Sequence, residues 1–332
     1  MKKMNDLRVL VYSTYDAAGQ GYLLAKALRE HMGYEAKNVI TMQTYLNYPA
    51  DWHLGNNVQP AEVLDYAKGC DFFVFQEWMP NIKELAPLFG LIRPNNSCIH
   101  SLGSMTRRGI DDMCMKQLRR GLAVSSPISD CTIAPGLMGT APFENIMLDL
   151  EGIEAVLGTK ETWKPGDGKI RICHASTNDA TKGTPLVASV KKLVKDQDVI
   201  WTTIQGKSWE DALRIKASCD ILLDSMGTDE VYGLSCLESL IMRQRVIGGI
   251  NPWAYALHPE LPMLSCHRLM TGEATIEKSV AAMVKQAIKD VREGWCETTG
   301  GSGWSKLWAE ELFDPKQVVQ SWVHWMNWVM NR

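Results

Sequence analysis

Residues 220–250, DILLDSMGTDEVYGLSCLESLIMRQRVIGGI, constrain the fold of this chain more than any other stretch. The apolar run 221–224 is followed by polar residues and glycine, which is typical of a buried parallel strand that ends in a loop. Apolar residues recur through 236–242, which predicts a mostly buried helix with Ser235 as its N-cap. Another apolar run at 245–250 predicts the next strand. This order of strand, turn, helix and strand predicts a parallel α/β sheet.

The turn before the predicted helix has the features of a phosphate site. Gly233, Leu234 and Ser235 stand where free backbone N–H groups and the positive end of the helix dipole converge. Two carboxylates bracket the turn, Glu230 before the helix and Glu238 about one turn inside it. A carboxylate commonly accepts hydrogen bonds from paired sugar hydroxyls. Each residue alone has a simpler interpretation, Glu230 as a solvated loop residue and Glu238 as the partner of Ser235 in a capping box.

Taken together, the residues of this stretch resemble the E-x7-E signature of retaining glycosyltransferases with the GT-B fold, most closely those of family 4. The matching residues are Glu230, Tyr232, Gly233, Leu237, Glu238, Ser239, Leu240, Val246 and Ile247. The resemblance implies an α/β chain with two Rossmann-like domains whose parallel sheets face a central cleft. It also implies transfer of a sugar from a nucleoside-diphosphate sugar, a UDP-sugar in the first instance, to an acceptor hydroxyl with retention of configuration.

The resemblance assigns roles to individual residues. Glu238 is expected to bind the nucleotide ribose, and Glu230 is expected to orient hydroxyls of the donor sugar. Lys182 and the amides of the turn at 233–235 are expected to neutralise the leaving diphosphate, where negative charge develops. The other residues expected to contact the donor are Tyr232, Asn178, Gly183, Gly19, Gln20 and Gly21.

Length and composition fit two globular domains in a cytoplasmic protein. The 332 residues are 45% hydrophobic and 22% charged, and the net charge of -3 gives no global reason to bind nucleic acid or a membrane. The nine cysteines lack C-x-x-C spacing, which indicates reduced thiols. No apolar run approaches the ~20 residues that span a bilayer, and no secretory leader is expected. Nothing in the sequence predicts the oligomeric state.

The first domain is predicted to span residues 1–160. It opens with a strand at 7–13, a glycine turn and a helix at 22–31, which is the first unit of a doubly wound fold. The turn has two of the three glycines of a dinucleotide fingerprint, so it is a weak cofactor motif. A tight turn that needs Gly19 and Gly21 for its backbone geometry explains these glycines as well as donor binding does. Further strands are predicted at 39–41, 72–75, 97–100 and 123–126.

The segment after the strand at 97–100 resembles the H-G-S-x-x-R stretch of family 4, which lies on the acceptor side. Gly103, Ser104 and Arg107 match, but Leu102 replaces the histidine, so no catalytic histidine is assigned. Ser104, Arg107 and the neighbouring Arg108 are expected to contact the acceptor. The basic cluster here indicates an anionic acceptor such as a glycan, a lipid-linked sugar or modified DNA, while a solvated helix face is the plainer interpretation.

The second domain is predicted to span 161–303, after a linker at 161–168, and a tail at 304–332 is predicted to pack back on the first domain as a helix. A strand at 169–175 leads to Lys182-Gly183-Thr184, which fits the family loop whose lysine reaches the diphosphate. Asp179 stands where the family commonly has an arginine, so one diphosphate contact is absent or is supplied elsewhere.

No metal or cofactor beyond the donor substrate is expected. The D-x-D triplet Asp196-Gln197-Asp198 precedes a predicted strand, at the end of the sheet away from the cleft. Three alternatives remain open: transfer to hydroxymethylated bases of DNA, as in some viral enzymes; a GT-B nucleotide-sugar epimerase or phosphorylase; and a catalytically degenerate nucleotide-sugar-binding protein. The missing histidine and Asp179 favour the last of these.

Overall fold

The computed structural model divides into two compact units. Unit 1 comprises Met1–Met147 and Phe313–Arg332, and unit 2 comprises Leu148–Leu312. The structure describes residues 7–77, 80, 82–100, 121–126, 141–142, 146–158, 166–226, 232–267, 275–295 and 302–332.

Twelve strands are present in the described part of the chain. They are β1 (Arg8–Ser13), β2 (Glu35–Ile40), β3 (Trp52–His53), β4 (Phe72–Gln76), β5 (Ser97–His100), β6 (Ala123–Ser126), β7 (Ala141–Pro142), β8 (Ile170–Ala175), β9 (Val199–Ile204), β10 (Ile221–Asp224), β11 (Arg245–Gly248) and β12 (Leu264–Ser265). All of their pairings are parallel.

Helices connect most of these strands, because a parallel pair is usually joined by a helical crossover. They are α1 (Gln20–Met32), α2 (Pro60–Lys68), α3 (Leu150–Leu157), α4 (Asp179–Lys182), α5 (Thr184–Leu193), α6 (Trp209–Ala217), α7 (Leu234–Ile241), α8 (Trp253–Leu257), α9 (Ile276–Arg292), α10 (Trp304–Phe313) and α11 (Pro315–Met330), with a 3-10 helix at Lys83–Gly90. Among the described residues, none of these helices combines the length and apolar character that a membrane span needs.

Unit 1 is a doubly wound α/β domain. Its sheet has the strand order β3-β2-β1-β4-β5-β6-β7, so the direction of winding reverses between β1 and β4. Alternate residues of β1 enter two cores: Val9 and Val11 pack with α1 and α11, whereas Leu10 and Tyr12 pack on the face of α2. Both faces of the sheet are therefore covered, as expected for a parallel sheet.

Helix α11 belongs to the core of unit 1, although it is distant in sequence from the other elements. It begins at Pro315, where proline is favourable because the first helical N–H has no partner in the helix, and Asp314 caps it through the backbone N–H of Lys316. Trp322 is fully buried against α1 and the sheet. Most tail tryptophans are thus packing residues, but Trp304 and Trp328 are exposed.

Unit 2 is the smaller α/β domain, with the strand order β12-β11-β10-β8-β9. Ile221 and Leu223 of β10 form a core with α5 and α9. The strand predicted at 221–224 is confirmed, and so is the fold class of two Rossmann-like domains with parallel sheets. The predicted N-cap was wrong: α7 begins at Leu234 with Gly233 as its cap, so Ser235 lies in the first turn. The backbone of Gly233 is extended, with φ −93° and ψ 167°, and the helix starts immediately after it.

Candidate functional site

In unit 2, the loops that follow β8 and β10 meet at the carboxyl edge of the sheet. Lys182 at the end of α4 places its Nζ 3.1 Å from Oδ1 of Asp224, the last residue of β10. The same Nζ donates to the Ser225 hydroxyl at 2.7 Å. Asp224 is fully buried, whereas the Lys182 side chain keeps 15% of its surface exposed. The result is a cation at the strand ends that is partly open to solvent.

The charge state of Asp224 is fixed by its neighbours. Burial acts to raise the pKa of this carboxyl, but the Lys182 ammonium and a hydrogen bond from the Cys236 thiol outweigh it and hold the pKa below its usual range. Burial and the Asp224 carboxylate together raise the pKa of that thiol well above its ordinary value. Asp224 is therefore ionised at neutral pH, and it balances the positive charge of Lys182 in this structure.

Only glycine fits at position 183. Its φ of +69° is in the left-handed region, and a Cβ built there would lie 1.8 Å from the carbonyl oxygen of Met226. The same approach brings the Met226 N–H to the Lys182 carbonyl at 3.0 Å. The Lys-Gly-Thr loop is thus fixed directly to the end of β10, which sets the position of the Lys182 side chain.

The start of α7 lies beside this lysine. A Cβ on Gly233 would be 3.6 Å from Lys182 Nζ and 3.5 Å from Asp224 Oδ2, in ordinary contact. Among the described residues, no side chain caps the amino end of this helix. Backbone N–H groups, the positive end of the helix dipole and one ammonium therefore converge on one place, which is suited to an anion such as a phosphate.

Glu238 is buried one turn inside α7 and is bound by two residues of α6. Its Oε1 accepts a hydrogen bond from the Trp209 indole N–H at 2.7 Å, and its Oε2 forms an ion pair with Lys216. Lys216 also approaches the Ser235 hydroxyl at 3.4 Å. The carboxylate thus bonds to α6 and does not complete the capping box that was the simpler interpretation.

Trp209 and Lys216 were not predicted as site residues. A sequence signal for them exists, because they are seven residues apart and so lie on one face of α6, two turns from each other. The apolar pattern alone does not predict that this face is buried, because a lysine is normally taken for a surface residue.

Tyr232 is held by an aromatic cluster just before the turn. Its hydroxyl lies 3.2 Å from His258 Nε2, and its ring meets Trp308 edge to face with centroids 6.2 Å apart. The Trp308 indole donates to Glu260 at 3.4 Å. Burial lowers the pKa of His258, which favours the neutral imidazole. Tyr232 therefore anchors the chain where it enters α7.

Asp179 closes the loop that carries Lys182. Its Oδ1 accepts from the hydroxyls of Ser176 and Thr184, both at 2.9 Å, and Gln205 donates to its other oxygen at 3.3 Å. These hydrogen bonds lower the pKa of Asp179, and the bond from Ser176 contributes most. The backbone carbonyl of Asn178 accepts from the N–H of Lys182 at 2.8 Å. Asp179 is thus a carboxylate that organises the loop.

The corresponding turn of unit 1 is satisfied internally. Asp16 accepts from the backbone N–H groups of Gly21 and Tyr22, each at 2.8 Å, and burial raises its pKa to about 7 despite these bonds. The side-chain amide of Gln20 pairs with both backbone groups of Met147, at 2.9 and 2.8 Å. Gly19 has a φ of +69° and lies against the ring of Tyr48. The donor contacts of Gly19, Gln20 and Gly21 stay a prediction, and all three residues already have hydrogen-bond partners in unit 1.

Four predicted site residues lie outside the described residues: Glu230, Ser104, Arg107 and Arg108. Within the part of the chain that the structure describes, no cluster of His, Cys, Asp and Glu is arranged to hold a metal ion. The D-x-D residues form a turn before β9, where Asp196 pairs with Arg292 at 2.9 Å. His100 is buried at the end of β5, and its ring packs edge to face on Trp322.

Comparison with known proteins was informative only at the level of structure. No protein-family model and no curated protein match the sequence. A glycosyltransferase from Rickettsia africae superposes with a TM-score of 0.59 at 11% identity, over 98% of this chain and 99% of that one. HepE of Anabaena, in complex with UDP and glucose, gives 0.60 at 10% identity over 97% and 99%.

A third similar structure is a putative UDP-N-acetylglucosamine 2-epimerase from Listeria monocytogenes, with a TM-score of 0.56 at 11% identity over 95% of this chain and 94% of that one. Identities this low establish a shared fold and nothing finer. With its two parallel sheets, this chain therefore has the GT-B fold of two Rossmann-like domains.

Proposed function

We propose that this chain is a retaining glycosyltransferase of the family 4 type, which transfers a sugar from a UDP-sugar to an acceptor hydroxyl without a metal ion. The observation that carries the proposal is the convergence of Lys182 and the uncapped start of α7 at one edge of the unit 2 sheet, within the described residues. The names of two similar structures support it, since one is a glycosyltransferase and another was solved with UDP and glucose.

The donor diphosphate is assigned to the start of α7. The amides at Gly233, Leu234 and Ser235 hydrogen-bond to it. The Lys182 ammonium, which pairs with Asp224, also donates to it. The negative charge on the leaving diphosphate grows as the glycosidic bond breaks, so these preorganised groups stabilise the transition state more than the bound donor.

The remaining roles follow the resemblance. Glu238 binds the ribose and Glu230 orients the hydroxyls of the donor sugar. The donor contacts of Tyr232, Asn178 and Gly183 belong to the same proposal. The donor contacts of Gly19, Gln20 and Gly21 also belong to this proposal. Ser104, Arg107 and Arg108 bind an anionic acceptor.

The test is donor binding followed by product analysis. Calorimetry with UDP and UDP-glucose is expected to show binding to the wild type and to the control Lys285→Met, which changes an exposed lysine of α9. Lys182→Met is expected to bind about tenfold or more weakly, because a hydrogen bond to a charged group is lost. Wild-type protein that binds neither ligand contradicts the proposal.

Turnover then distinguishes the reactions of this fold. A transferase forms a glycoside whose anomeric configuration matches the donor, and it does so in the presence of a chelator. Activity that is lost in chelator and restored by manganese contradicts metal independence.

An epimerase is the second candidate, because a similar structure carries that name. It changes the donor sugar without an acceptor, which NMR of the incubated donor detects. Binding of the donor with neither outcome identifies a degenerate nucleotide-sugar-binding protein, and transfer to hydroxymethylated DNA identifies the viral-type alternative.

A further inference from the structure

The ion pair between Lys216 and Glu238 is almost completely buried. Lys216 is 2% exposed and Glu238 is 4% exposed. Replacing a buried ion pair by well-packed apolar residues is often neutral or stabilising, because desolvation offsets most of the attraction between the charges. Stability alone therefore does not account for this pair, and the contact of Lys216 with Ser235 in the first turn of α7 points to a role in the site.

Helix α6 fixes the carboxylate from two directions. Trp209 donates to Oε1 and Lys216 binds Oε2, so neither oxygen is able to rotate away without losing a partner. Lys216 also reaches Ser235 in the first turn of α7. The carboxylate is thereby held beside the turn that is assigned to the diphosphate, at a fixed orientation.

A carboxylate held in a fixed orientation is chemically suited to a vicinal diol. Each of its oxygens accepts more than one hydrogen bond, so acceptor sites remain after the bonds from Trp209 and Lys216. Two adjacent hydroxyls are two donors with a matching spacing, whereas a deoxyribose offers only one. Without Lys216, Oε2 loses its partner and the carboxylate is free to rotate away from this orientation.

We propose that Lys216 and Trp209 are positioning residues, which hold Glu238 as the acceptor for the 2′- and 3′-hydroxyls of the donor ribose and so make the site select ribonucleotides over deoxyribonucleotides. This inference rests on the proposed function. It adds the two residues of α6 and a discrimination between two classes of nucleotide.

The experiment measures the ratio of the dissociation constants of 2′-deoxy-UDP and UDP by calorimetry. The wild type is expected to prefer UDP by about tenfold, the effect of one hydrogen bond to a charged group. In Lys216→Met the ratio falls towards one, mainly through weaker UDP binding, because 2′-deoxy-UDP depends less on Glu238. Lys216→Arg keeps most of the preference, Trp209→Phe loses part of it, and Lys285→Met behaves as the wild type.

Folding is controlled with a second set of variants. Lys216→Met leaves a buried carboxylate without its cation, which threatens stability, so Lys216→Met/Glu238→Gln removes both charges. Glu238→Gln alone is expected to bring the ratio close to one, and the added Lys216→Met is expected to change it no further, because Lys216 acts through Glu238.

The outcomes separate this inference from the proposed function. A folded Lys216→Met protein with the wild-type ratio overturns the positioning role, and so does a double variant whose ratio differs from that of Glu238→Gln. A wild type that binds UDP and 2′-deoxy-UDP equally overturns ribose selection but leaves the proposed function standing. A wild type that binds neither overturns the proposed function itself.

Discussion

The strand–turn–helix units of the two domains look alike in sequence and differ in electrostatics. In unit 1, Asp16 occupies the amino end of α1 and takes the N–H groups of Gly21 and Tyr22. In unit 2, the amino end of α7 has no side-chain cap among the described residues, and Lys182 lies beside it. At one helix start a carboxyl group of the protein binds the amides, whereas at the other the nearby carboxylate, Asp224, pairs with Lys182 instead.

This difference shows that glycine in a turn before a helix does not by itself make a phosphate site. Whether such a turn is able to bind a phosphate depends on whether a carboxylate of the same domain already accepts hydrogen bonds from its amides. Asp16 precedes α1 by only a few residues. An aspartate in that position commonly accepts hydrogen bonds from the first N–H groups of a helix, so this capping is predictable from the sequence.

The largest effect expected from a single substitution is at Gly183. Gly183 and Gly19 share a φ of +69°, but a Cβ at 183 would lie 1.8 Å from a backbone oxygen, whereas one at 19 would meet only the Tyr48 ring at 3.0 Å. Gly19→Ala is expected to lower the free energy of unfolding by about 1–2 kcal/mol, the cost of the left-handed backbone. Gly183→Ala is expected to cost about 3 kcal/mol or more, since the backbone must also move.

Urea unfolding of the two variants measures this contrast. Equal losses contradict the view that the Lys182 loop is fixed to β10 more tightly than the turn of unit 1 is fixed to its surroundings.

The next effect concerns the pH dependence of the free energy of unfolding. The contributions of Asp16, which follows β1, and of Asp224, at the end of β10, are expected to have opposite signs. The pKa of Asp16 is raised to about 7 in the folded protein, so its contribution is present at low pH and is lost as the pH rises from about 4 through 7. The pKa of Asp224 is lowered, so its contribution is present above about pH 4 and is lost as the pH falls below that value.

Melting temperatures between pH 4.5 and 8 test the first of these signs. Asp16→Asn is expected to remove a slope of roughly 1 kcal/mol per pH unit from the stability of the wild type near neutral pH. A variant whose curve runs parallel to that of the wild type contradicts the raised pKa. Lys182→Met/Asp224→Asn serves as the matched control in unit 2. When the melting temperatures are extended below about pH 4, this variant is expected to lose less stability than the wild type.

A smaller effect is expected for a substitution in the core of unit 1, which tests whether the two units unfold independently. Val318→Ala on α11 removes two methyl groups from a buried side chain and is expected to cost about 1–2 kcal/mol. Hydrogen exchange is expected to report the loss in unit 1 and to leave the amides of α7 unchanged. Equal loss of protection in both units contradicts their description as two compact bodies.

The smallest effect is expected at the anchor of the α7 turn. Tyr232→Phe removes the contact with His258 at 3.2 Å but keeps the ring against Trp308, so a cost of about 1 kcal/mol in unfolding free energy is expected. Thermal unfolding checks this value. A loss as large as that of Gly183→Ala indicates that the hydroxyl, and not the ring, holds the chain at this point.

Most elements of the fold could be predicted from the sequence because their signals are local. The strands β5, β6 and β10 were each predicted at their observed bounds. Helix α2 was missed, because its residues 60–68 carry few apolar positions and depend on Pro60 and a capping box for their start. The N-cap of α7 was predicted two residues too late. Serine is the more usual cap, and a glycine has no side chain that would mark Gly233 as the cap in the sequence.

The candidate site was predictable where it follows a motif and not where it depends on distant contacts. Lys182 and Glu238 were predicted from the resemblance to family 4, through the Lys-Gly-Thr loop and the E-x7-E pattern. Their partners Asp224 and Lys216 come from other elements. Pairing across 22 or 42 residues is set by the packing of the sheet and its helices, which no local pattern encodes. The roles of Lys182 and Glu238 stay predictions until donor binding is measured.

The position of α11 in the core of unit 1 has a consequence for biosynthesis. Unit 2 is encoded by one continuous stretch, so its sheet is complete as soon as residue 312 has left the ribosome. Unit 1 must wait, because Trp322 and the rest of α11 cover one face of its sheet and are translated after all of unit 2. During that interval Val9, Val11 and Leu24 lack part of their cover, so the nascent domain exposes apolar surface that the finished domain buries.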